Sequence, residues 1–449
     1  MTAPTTAPNS FHYFLDQFRA RSRELALIED TVQLRYGDLL SSLERRACDF
    51  KQQGVGAGSV VMTPASSPLD QTVDLFALAS LGSIAVPLPD LPKAEMEDIA
   101  DITGATHVTR EGGIDELSAG TLHPLIASLV QRREAGLIVL SSGSSGRKKA
   151  ILHSVERLMA KFLTPRPPYR TLAFLKMDHL GGINTVLHCL SNGAAVIFPL
   201  SRKADAICGL IERHRVELLP ATPSFLRLLL LGGFHSNHDL SSLRLITYGT
   251  EVMPENTLTG LARRFPGVKL QQTYGLSELG VLRSKSESPS SLWVKLGGEG
   301  FETKVAEGRL WIKAGSAMEG YLNYPQPFDA GGWMDTGDRV EVNGEYLRVL
   351  GRESEIINVA GEKVFPSEVE DFLTSLENIA EAVVRGEPNP LTGNIVVADV
   401  ALQEPEPCEA AIRRIRLSAK RNLPPFMVPV KVRIVDQISH TDRFKKERR

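Results

Sequence analysis

The chain has few of the features that mark several large protein classes. Its four cysteines are widely separated and form no Cys-x-x-Cys pair, which argues against a zinc site or a disulfide framework and favours a reducing compartment. No apolar run approaches the roughly 20 residues of a membrane span, and the first ten residues lack the basic and apolar stretches of a secretory signal. These absences predict a soluble, cytoplasmic protein without a membrane span.

The chain also lacks an excess of charge of either sign. It has 51 lysines and arginines against 53 aspartates and glutamates, a net charge of -2 at pH 7. No overall field would therefore draw it to nucleic acid or to anionic lipid. Small-molecule chemistry is favoured, and a length of 449 residues predicts two or three domains.

The hydrophobic pattern changes along the chain. Apolar runs at 136–140, 194–198 and 243–246 alternate with amphipathic helical patterns at 204–215 and 254–265, which is typical of an α/β domain. From Gly308 the pattern changes to strands, and Asn343-Gly344 between 339–342 and 345–349 favours a hairpin turn.

After Arg352 the pattern is that of a small α+β unit. Helices are predicted from Pro366 to Leu376 and from Cys408 to Arg421, and strands at 382–385, 395–402 and 430–435. We therefore predict a large N-terminal α/β domain with a β-rich subdomain, followed by a small C-terminal α+β domain.

A loop rich in serine and glycine follows the strand at 136–140. Residues 141–149 read Ser-Ser-Gly-Ser-Ser-Gly-Arg-Lys-Lys. The glycines let main-chain amides face one point, and the hydroxyls and lysines add donors and positive charge, so the loop can wrap a triphosphate. It is not a Walker A loop, because Lys148 stands where the second glycine is required. A mobile linker is the alternative that composition leaves open.

Other short segments carry polar side chains in a fixed order. Taken singly, each would more often be a surface loop, a turn or a solvated basic tail. They are Tyr248-Gly249-Thr250-Glu251, residues 272–278 (Gln-Thr-Tyr-Gly-Leu-Ser-Glu), residues 333–338 (Trp-Met-Asp-Thr-Gly-Asp), Gly351-Arg352, residues 356–370, and residues 441–448 (Thr-Asp-Arg-Phe-Lys-Lys-Glu-Arg).

In order and spacing, these segments and the loop resemble the signatures of the adenylate-forming superfamily. That superfamily includes acyl- and aryl-CoA synthetases, adenylation domains of peptide synthetases and luciferases. The chain departs from the pattern at Lys148, where the family has proline, and at Ala150, where it has glycine. Neither change removes a phosphate donor.

The resemblance implies how the nucleotide is bound. Tyr274 would stack on adenine, Ser277 would touch the α-phosphate and Glu278 would help to hold Mg²⁺. Asp338 would accept hydrogen bonds from both ribose hydroxyls, and Arg352 would reach the ribose and phosphate. The implied nucleotide-binding residues are Ser141, Ser142, Gly143, Ser144, Ser145, Gly146, Lys149, Gly249, Thr250, Glu251, Tyr274, Gly275, Ser277, Asp338 and Arg352.

The resemblance also divides the chain. It implies an N-terminal core over 1–351, a hinge at 352–354 and a mobile C-terminal domain over 355–449. The family's hinge residue is commonly aspartate or lysine, and here it is Ser354. Serine can absorb the large φ/ψ change that a hinge needs.

The C-terminal segment implies a catalytic lysine. The family pattern Thr-x-x-Gly-Lys-x-x-Arg places Lys445 where a lysine bridges the substrate carboxylate and the α-phosphate. Phe444 replaces the glycine, and Lys446 stands beside, so a register shifted by one stays open. We expect Lys445→Ala to abolish adenylation and Lys446→Ala to have little effect.

Residues 177–182 resemble the acyl-pocket segment of acyl- and aryl-CoA synthetases. His179 would line the acid site as a catalytic and pocket residue, with Gly182 and Thr273 as further pocket residues. A histidine packed in the core is the alternative. Leu180 stands where amino-acid adenylating relatives place an aspartate, which favours an acid without an α-ammonium group.

The resemblance implies an ATP-dependent acid–thiol ligase. A carboxylic acid and ATP would give acyl-AMP and pyrophosphate, and the acyl group would then pass to coenzyme A. No protein nucleophile is needed, because the substrate carboxylate attacks the α-phosphate while the enzyme positions it and neutralises charge. ATP, Mg²⁺, coenzyme A and a small-molecule carboxylic acid are implied, and nucleic acid is not.

Two alternatives stay open. The acceptor could be a separate carrier protein or an amine instead of coenzyme A. The chain could also be a catalytically decayed nucleotide-binding homologue, because fold alone does not establish chemistry.

Overall fold

The structure is a computed structural model of the whole chain. It describes residues 9–64, 67–110, 113–117, 121–142, 147–298, 300–440 and 446. None of the helices in these ranges combines the length and the apolar character needed to cross a bilayer.

Twelve α-helices occur in the described ranges. They are α1 (Ser10–Ala20), α2 (Tyr36–Gln52), α3 (Pro68–Ser80), α4 (Lys93–Thr103), α5 (Pro124–Arg132), α6 (Val155–Ala160), α7 (Leu180–Ser191), α8 (Ala204–His214), α9 (Pro223–Leu231), α10 (Glu255–Arg264), α11 (Pro366–Ser375) and α12 (Cys408–Asn422).

The strands of the first half of the described chain build two large sheets. They are β1 (Leu25–Glu29), β2 (Val32–Arg35), β3 (Val60–Pro64), β4 (Ile84–Leu88), β5 (His107–Arg110), β6 (Gly113–Glu116), β7 (Gly136–Ser142), β8 (Lys148–Ser154), β9 (Thr171–Leu172), β10 (Val196–Phe198), β11 (Leu218–Ala221), β12 (Leu245–Tyr248) and β13 (Lys269–Gln272).

The remaining described strands begin at Gly275, earlier than the change of pattern that is predicted at Gly308. They are β14 (Gly275–Leu276), β15 (Gly280–Val281), β16 (Ser284–Ser286), β17 (Val294–Leu296), β18 (Phe301–Ala306), β19 (Arg309–Ala314), β20 (Gly320–Tyr321), β21 (Met334–Asn343), β22 (Tyr346–Arg352), β23 (Ile357–Val359), β24 (Glu362–Val364), β25 (Ile379–Asn389), β26 (Gly393–Leu402) and β27 (Lys431–Val435).

Two seven-stranded sheets form the N-terminal part of the molecule. The first has the order β13-β12-β11-β9-β10-β1-β2 and is parallel except for the β1–β2 pair. The second has the order β20-β8-β7-β4-β3-β5-β6, with parallel pairing only among β5, β3, β4 and β7. The α/β alternation predicted from the sequence is therefore present.

Helices cover both faces of these sheets. One core joins the two sheets through the helices between them and includes Phe18, Leu27, Phe76, Val139 and Ile183. Neighbouring side chains on a strand point to opposite faces, so Ile197 of the first sheet packs towards α8–α10 and Ile138 of the second towards α4 and α5. The result is a layered arrangement of helices and sheets.

Proline and a capping hydroxyl fix the start of two buried helices. The Ser67 hydroxyl accepts a hydrogen bond from the main-chain N–H of Asp70 at the start of α3, and Pro68 follows. Thr222 caps α9 in the same way, with its hydroxyl oxygen 3.2 Å from the nitrogen of Phe225. Such caps satisfy amides that the helix leaves unpaired.

Three further sheets follow, and the first is the two-stranded pair of β14 and β15. A six-stranded antiparallel sheet has the order β16-β17-β22-β21-β19-β18. Its β21–β22 hairpin turns at Gly344-Glu345, one residue later than predicted, because Asn343 pairs with Tyr346, and Gly344 has a φ of 61°. The C-terminal sheet combines β23 to β27, with α11 and α12 packed on its core. The fold class is thus a large α/β part with a β-rich sheet and a smaller α+β part.

The buried His153 and the half-buried His188 make the stability of the N-terminal part sensitive to acid. Burial lowers the pKa of His153 to about 4. Burial, with the neighbouring cations Arg283 and Lys161, lowers the pKa of His188 to about 4. Between pH 6.5 and 4 the unfolded chain therefore binds protons that the folded chain does not bind, so stability is lost as pH falls through this range.

We predict that the free energy of unfolding falls by about 2 kcal/mol for each of these histidines between pH 7.5 and pH 5. Urea unfolding at the two pH values, followed by tryptophan fluorescence, measures the difference. The variant His188→Gln should lose about half of this pH dependence. An unfolding free energy that is the same at both pH values would contradict the prediction.

Candidate active site

Two of the predicted segments meet at one edge of the first sheet. Strands β12 and β13 are parallel, so their carboxyl ends lie together, which is where open α/β sheets bind ligands. The carbonyl oxygen of Tyr248 accepts hydrogen bonds from the Thr273 nitrogen at 2.7 Å and the Thr273 hydroxyl at 3.0 Å. A Cβ at Gly249 would lie 2.5 Å from the Thr273 hydroxyl oxygen, so this approach requires glycine.

The next residue of the chain joins this edge to the β-rich sheet. The hydroxyl of Tyr274 donates a hydrogen bond to the carboxylate of Asp338, and both residues are buried. Asp338 lies opposite Arg352 on the β21–β22 hairpin, with the Arg352 Nε 3.5 Å from its carboxylate. The structure thus brings together three of the predicted nucleotide-binding side chains.

Burial decides the protonation of Tyr274. Burial, and then the neighbouring Asp338 carboxylate, raise the pKa of Tyr274 well above its ordinary value. The phenol therefore stays protonated and acts as the donor to the ionised carboxylate. This contact fixes the position of the Asp338 side chain.

Ser277 and Glu278 are held from the side of the second sheet. The fully buried His153 of β8 donates from Nε2 to the carbonyl oxygen of Ser277 at 2.7 Å, since a carbonyl only accepts. The Tyr321 hydroxyl donates to the Glu278 carboxylate at 2.7 Å. Lys149 lies beside them, with its ammonium 5.0 Å from the centre of the Tyr321 ring.

The phosphate-loop prediction falls partly outside the described residues. Strands β7 and β8 flank the loop, and Ser141 pairs with Lys149 in the hairpin. Residues 143–146, which include Gly143, Ser144, Ser145 and Gly146, lie outside the described residues, and Ser142 is described only as the last residue of β7. Lys148, which stands at the family's proline position, forms an ion pair with Glu95.

Two of the predicted acid-pocket residues lie at the start of α7. His179 caps this helix, with its Nδ1 accepting from the Gly181 nitrogen at 3.0 Å. A Cβ at Gly182 would lie 2.0 Å from the Lys176 carbonyl oxygen, so glycine allows the first turn to pack closely. Thr273 lies instead at the end of β13, where it contacts Tyr248.

A buried lysine links α7 to the segment that contains Glu278. The Lys161 ammonium donates to the side chain of Asn184 on α7 and to the Val281 carbonyl oxygen on β15, the latter at 2.9 Å. Helix α7 therefore lies beside the strand that follows Glu278.

Glu251 connects three parts of the chain. One carboxylate oxygen accepts from the nitrogen and the hydroxyl of Ser224 at 3.2 and 2.7 Å, and the other accepts from the main-chain nitrogen of Lys446 at 3.0 Å. The preceding Thr250 has a φ of 72°, a left-handed conformation that is rare for a β-branched residue. Strained residues of this kind cluster at functional sites.

Helices α9 and α10 contact the C-terminal sheet and its helix. The guanidinium of Arg227 donates to the carbonyl oxygens of Thr374 at 3.1 Å, Ile379 at 2.9 Å and Ala380. The Asn256 amide donates to the Thr374 hydroxyl at 3.1 Å. Arg227 is buried, so these hydrogen bonds are shielded from water.

The structure describes one of the two C-terminal lysines. Lys446 and His440 form an isolated antiparallel bridge, and the Lys446 ammonium lies 3.3 Å from the Glu370 carboxylate and 3.0 Å from the Ala382 carbonyl oxygen. Lys445 lies outside the described residues. The proposed hinge residue Ser354 is exposed in a 3₁₀ turn, Glu353–Glu355, immediately after β22.

Several residues of the site were missed by sequence reasoning. Tyr321 lies in a stretch with glycine, asparagine and proline, which indicates only a turn. Arg227 lies on an apolar helix, and its partners are main-chain oxygens without a sequence signal. His153 could have been noticed, since it interrupts the apolar strand Ala150-Ile151-Leu152.

Family comparison agrees with this geometry. The model of the AMP-binding enzyme family matches residues 14–322, and that of the AMP-binding enzyme C-terminal domain matches residues 368–445. Because the first match alone covers more than half of the chain, the protein belongs to the AMP-binding enzyme family. The resemblance drawn from the sequence motifs is confirmed.

Particular relatives cover nearly the whole chain. The indoleacetate–CoA ligase of Aromatoleum aromaticum is 27% identical over 467 residues, which cover 91% of this chain and 90% of the relative. The 4-coumarate–CoA ligase 1 of Oryza sativa subsp. japonica is 26% identical over 444 residues, 83% of this chain and 79% of the relative.

A solved structure confirms the fold class. The anthranilate CoA ligase AuaEII in complex with anthranoyl-AMP superposes with a TM-score of 0.84 at 21% identity, covering 99% of this chain and 97% of that chain. At this identity the likeness shows the fold, a large N-terminal part and a smaller C-terminal one.

The ion pair with Glu370 gives Lys446 a structural role, whereas the expectation that Lys446→Ala has little effect concerns adenylation. Both side chains are almost fully buried, with 10% and 6% of their surface exposed. We now predict that Lys446→Met lowers the free energy of unfolding by about 3–5 kcal/mol, because its ammonium no longer offsets the charge of the buried Glu370 carboxylate. Urea unfolding of the purified variant measures the loss.

The matched control is the double variant Lys446→Met with Glu370→Gln. It removes the uncompensated charge and should recover part of the loss, because a neutral amide costs less to bury than a carboxylate. If Lys446→Met unfolds at the wild-type urea concentration, the ion pair does not contribute to stability.

Proposed function

We propose that the protein is an AMP-forming acid–CoA ligase. In the first step an oxygen of the substrate carboxylate attacks the α-phosphorus of ATP, and the bond to pyrophosphate breaks. In the second step the sulfur of coenzyme A attacks the acyl carbonyl, and AMP leaves. Relatives named as CoA ligases over most of the chain support this proposal.

The observation that carries the proposal is the short segment 274–278. At one end Tyr274 donates to Asp338, whose other neighbour is Arg352, the pair expected to bind the ribose. At the other end Glu278 accepts from Tyr321, whose ring centre lies 5.0 Å from the ammonium of Lys149 of the phosphate loop. One segment therefore carries contacts for the nucleoside and contacts for the phosphates, as transfer at an α-phosphate requires.

Glu278 fits a role in holding Mg²⁺. The described residues contain no cluster of three or more histidine, cysteine, aspartate or glutamate side chains that would form an all-protein metal site. Mg²⁺ commonly uses one or two carboxylates and completes its shell with substrate phosphates and water. When bound, the ion would neutralise phosphate charge, while Glu278 and Lys149 position the triphosphate.

The remaining predicted residues receive proposed roles from their positions. His179, Gly182 and Thr273 would surround the acid, between α7 and the end of β13. Ser354 would be the hinge of the segment 352–354, between a core over 1–351 and a mobile domain over 355–449. Rotation at this hinge would change which residues of the mobile domain face the acyl-adenylate.

The cytoplasm is the compartment we propose for this reaction. All four cysteines are free thiols. Burial raises the pKa of Cys189 to about 12, so this thiol stays protonated and unreactive.

Pyrophosphate release from ATP and Mg²⁺ tests the function directly. We expect release that depends on an aromatic or medium-chain acid and that increases when coenzyme A is added, with an acyl thioester among the products. The acids tested also include amino acids, which serve as the control because they carry an α-ammonium group and should be poor substrates. Release that coenzyme A leaves unchanged would instead indicate a carrier protein or an amine as acceptor, and no release with any acid would contradict the proposal.

Lys445→Ala separates the two half-reactions. We propose that Lys445 bridges the substrate carboxylate and the α-phosphate, since the neighbouring Lys446 ammonium is bound by Glu370. Loss of this charge should slow acyl-AMP formation by at least about 100-fold and leave transfer from preformed acyl-AMP to coenzyme A nearly unchanged. Single-turnover measurements of each step with Lys445→Ala and wild type provide the test. Equal rates of adenylation would refute the assignment.

A further inference from the structure

A short segment between β19 and β21 lies against both the phosphate loop and Glu278. Its strand β20 extends the second sheet by pairing with β8, where Gly320 lies opposite Leu152 and Tyr321 opposite Ile151. The main-chain nitrogen of Leu322 donates to the Ala150 carbonyl oxygen at 3.0 Å. The segment is therefore fixed to the strand that leaves the phosphate loop.

Asn323 closes the end of this strand around Lys149. Its amide nitrogen donates to the Lys148 carbonyl oxygen at 2.8 Å, and its amide oxygen accepts from the Ala150 nitrogen at 3.0 Å. The Lys149 ammonium lies 5.0 Å from the ring centre of Tyr321 and 5.2 Å from that of Tyr324. These distances are within the range of cation–π attraction, so the rings hold the ammonium in place.

The same segment holds Glu278 through its main chain and its side chain. The main-chain nitrogen of Met318 donates to the Glu278 carbonyl oxygen at 2.8 Å. The Tyr321 hydroxyl donates to Oε1 of the Glu278 carboxylate at 2.7 Å. Tyr321 is itself buried, with 5% of its surface exposed, so its ring and hydroxyl have little freedom to move.

The geometry assigns the donor role to Tyr321. Its hydroxyl carries the hydrogen, and the Glu278 carboxylate oxygen accepts it. A protonated phenol that engages Oε1 fixes the rotation of the carboxylate and directs Oε2 to one side. Partners of this kind orient carboxylates that bind metal ions.

We propose that Tyr321 is a positioning residue that couples the phosphate loop to the metal-binding carboxylate. Its ring holds the Lys149 ammonium, and its hydroxyl orients Glu278 towards the cation that accompanies the triphosphate. The proposal deepens the proposed function and rests on it for the roles of Glu278 and Lys149.

The variant Tyr321→Phe tests the hydroxyl, because it keeps the ring and removes only the donor to Glu278. Mn²⁺ is titrated into the protein with a non-hydrolysable ATP analogue, and electron paramagnetic resonance follows the free ion. We expect Mn²⁺ affinity to fall by about tenfold. Affinity equal to that of the wild type would overturn the proposal.

Tyr36→Phe is the matched control. The buried Tyr36 hydroxyl donates to the Ala194 carbonyl oxygen at 2.8 Å, within the core that joins the two seven-stranded sheets. This variant also loses a buried tyrosine hydrogen bond and should bind Mn²⁺ as the wild type does. A weakening of equal size in both variants would show a general loss of stability and overturn the specific role of Tyr321.

The variant Tyr321→Leu tests the ring. Affinity for the ATP analogue, measured with a chelator in place of divalent metal, should fall about threefold or more below that of Tyr321→Phe, because Lys149 loses its aromatic face. If the two variants bind the ATP analogue with equal affinity, the Tyr321 ring does not contribute to holding Lys149.

These measurements separate the inference from the proposed function. They use neither an acid nor coenzyme A, so they report on Tyr321 even if no acid supports pyrophosphate release. Acid-dependent release by the wild type, together with unchanged Mn²⁺ affinity in Tyr321→Phe, would refute the inference and leave the ligase intact.

Discussion

The hydrogen bond from Tyr274 to Asp338 is the contact on which the candidate site depends. It joins the carboxyl edge of the first sheet to the β-rich sheet, two parts of the chain separated by 64 residues. Both partners are buried, so a carboxylate without this donor would be costly to keep ionised. The contact therefore fixes Arg352, which lies against the same carboxylate, relative to Ser277 and Glu278.

Each predicted acidic residue of the site already has a protein partner. Asp338 is bound by Tyr274 and Arg352, Glu278 by Tyr321, and Glu251 by Ser224 and Lys446. Such pairing orients the carboxylates before a ligand arrives, and preorganised groups stabilise developing charge without the cost of rearrangement. Glu251 differs from the other two, because its partners link the large and small parts of the molecule.

The sequence was most informative where function depends on local pattern. Alternating apolar runs predicted the α/β class, and Asn343-Gly344 predicted the β21–β22 hairpin. The motifs also indicated Tyr274 and Asp338 separately, although only the fold shows that they touch. Tyr321 and Arg227 escaped notice, because each acts on residues distant in the chain, and a spacing pattern carries no signal for such contacts. For Lys446 the sequence left open a catalytic role in a register shifted by one, and the burial of its side chain against Glu370 carried no sequence signal.

The contacts between the large and small parts of the molecule can break at a low cost in free energy. Arg227 donates to main-chain carbonyl oxygens of the small part, and water can replace it as the donor once the two parts separate. No buried charge is then left unpaired in the small part. The ion pair of Lys446 with Glu370, in contrast, lies wholly within the C-terminal part. If the C-terminal part rotates at Ser354, Lys446 must move with it and release Glu251. Breaking this one main-chain hydrogen bond costs far less free energy than separating the buried ion pair of Lys446 with Glu370.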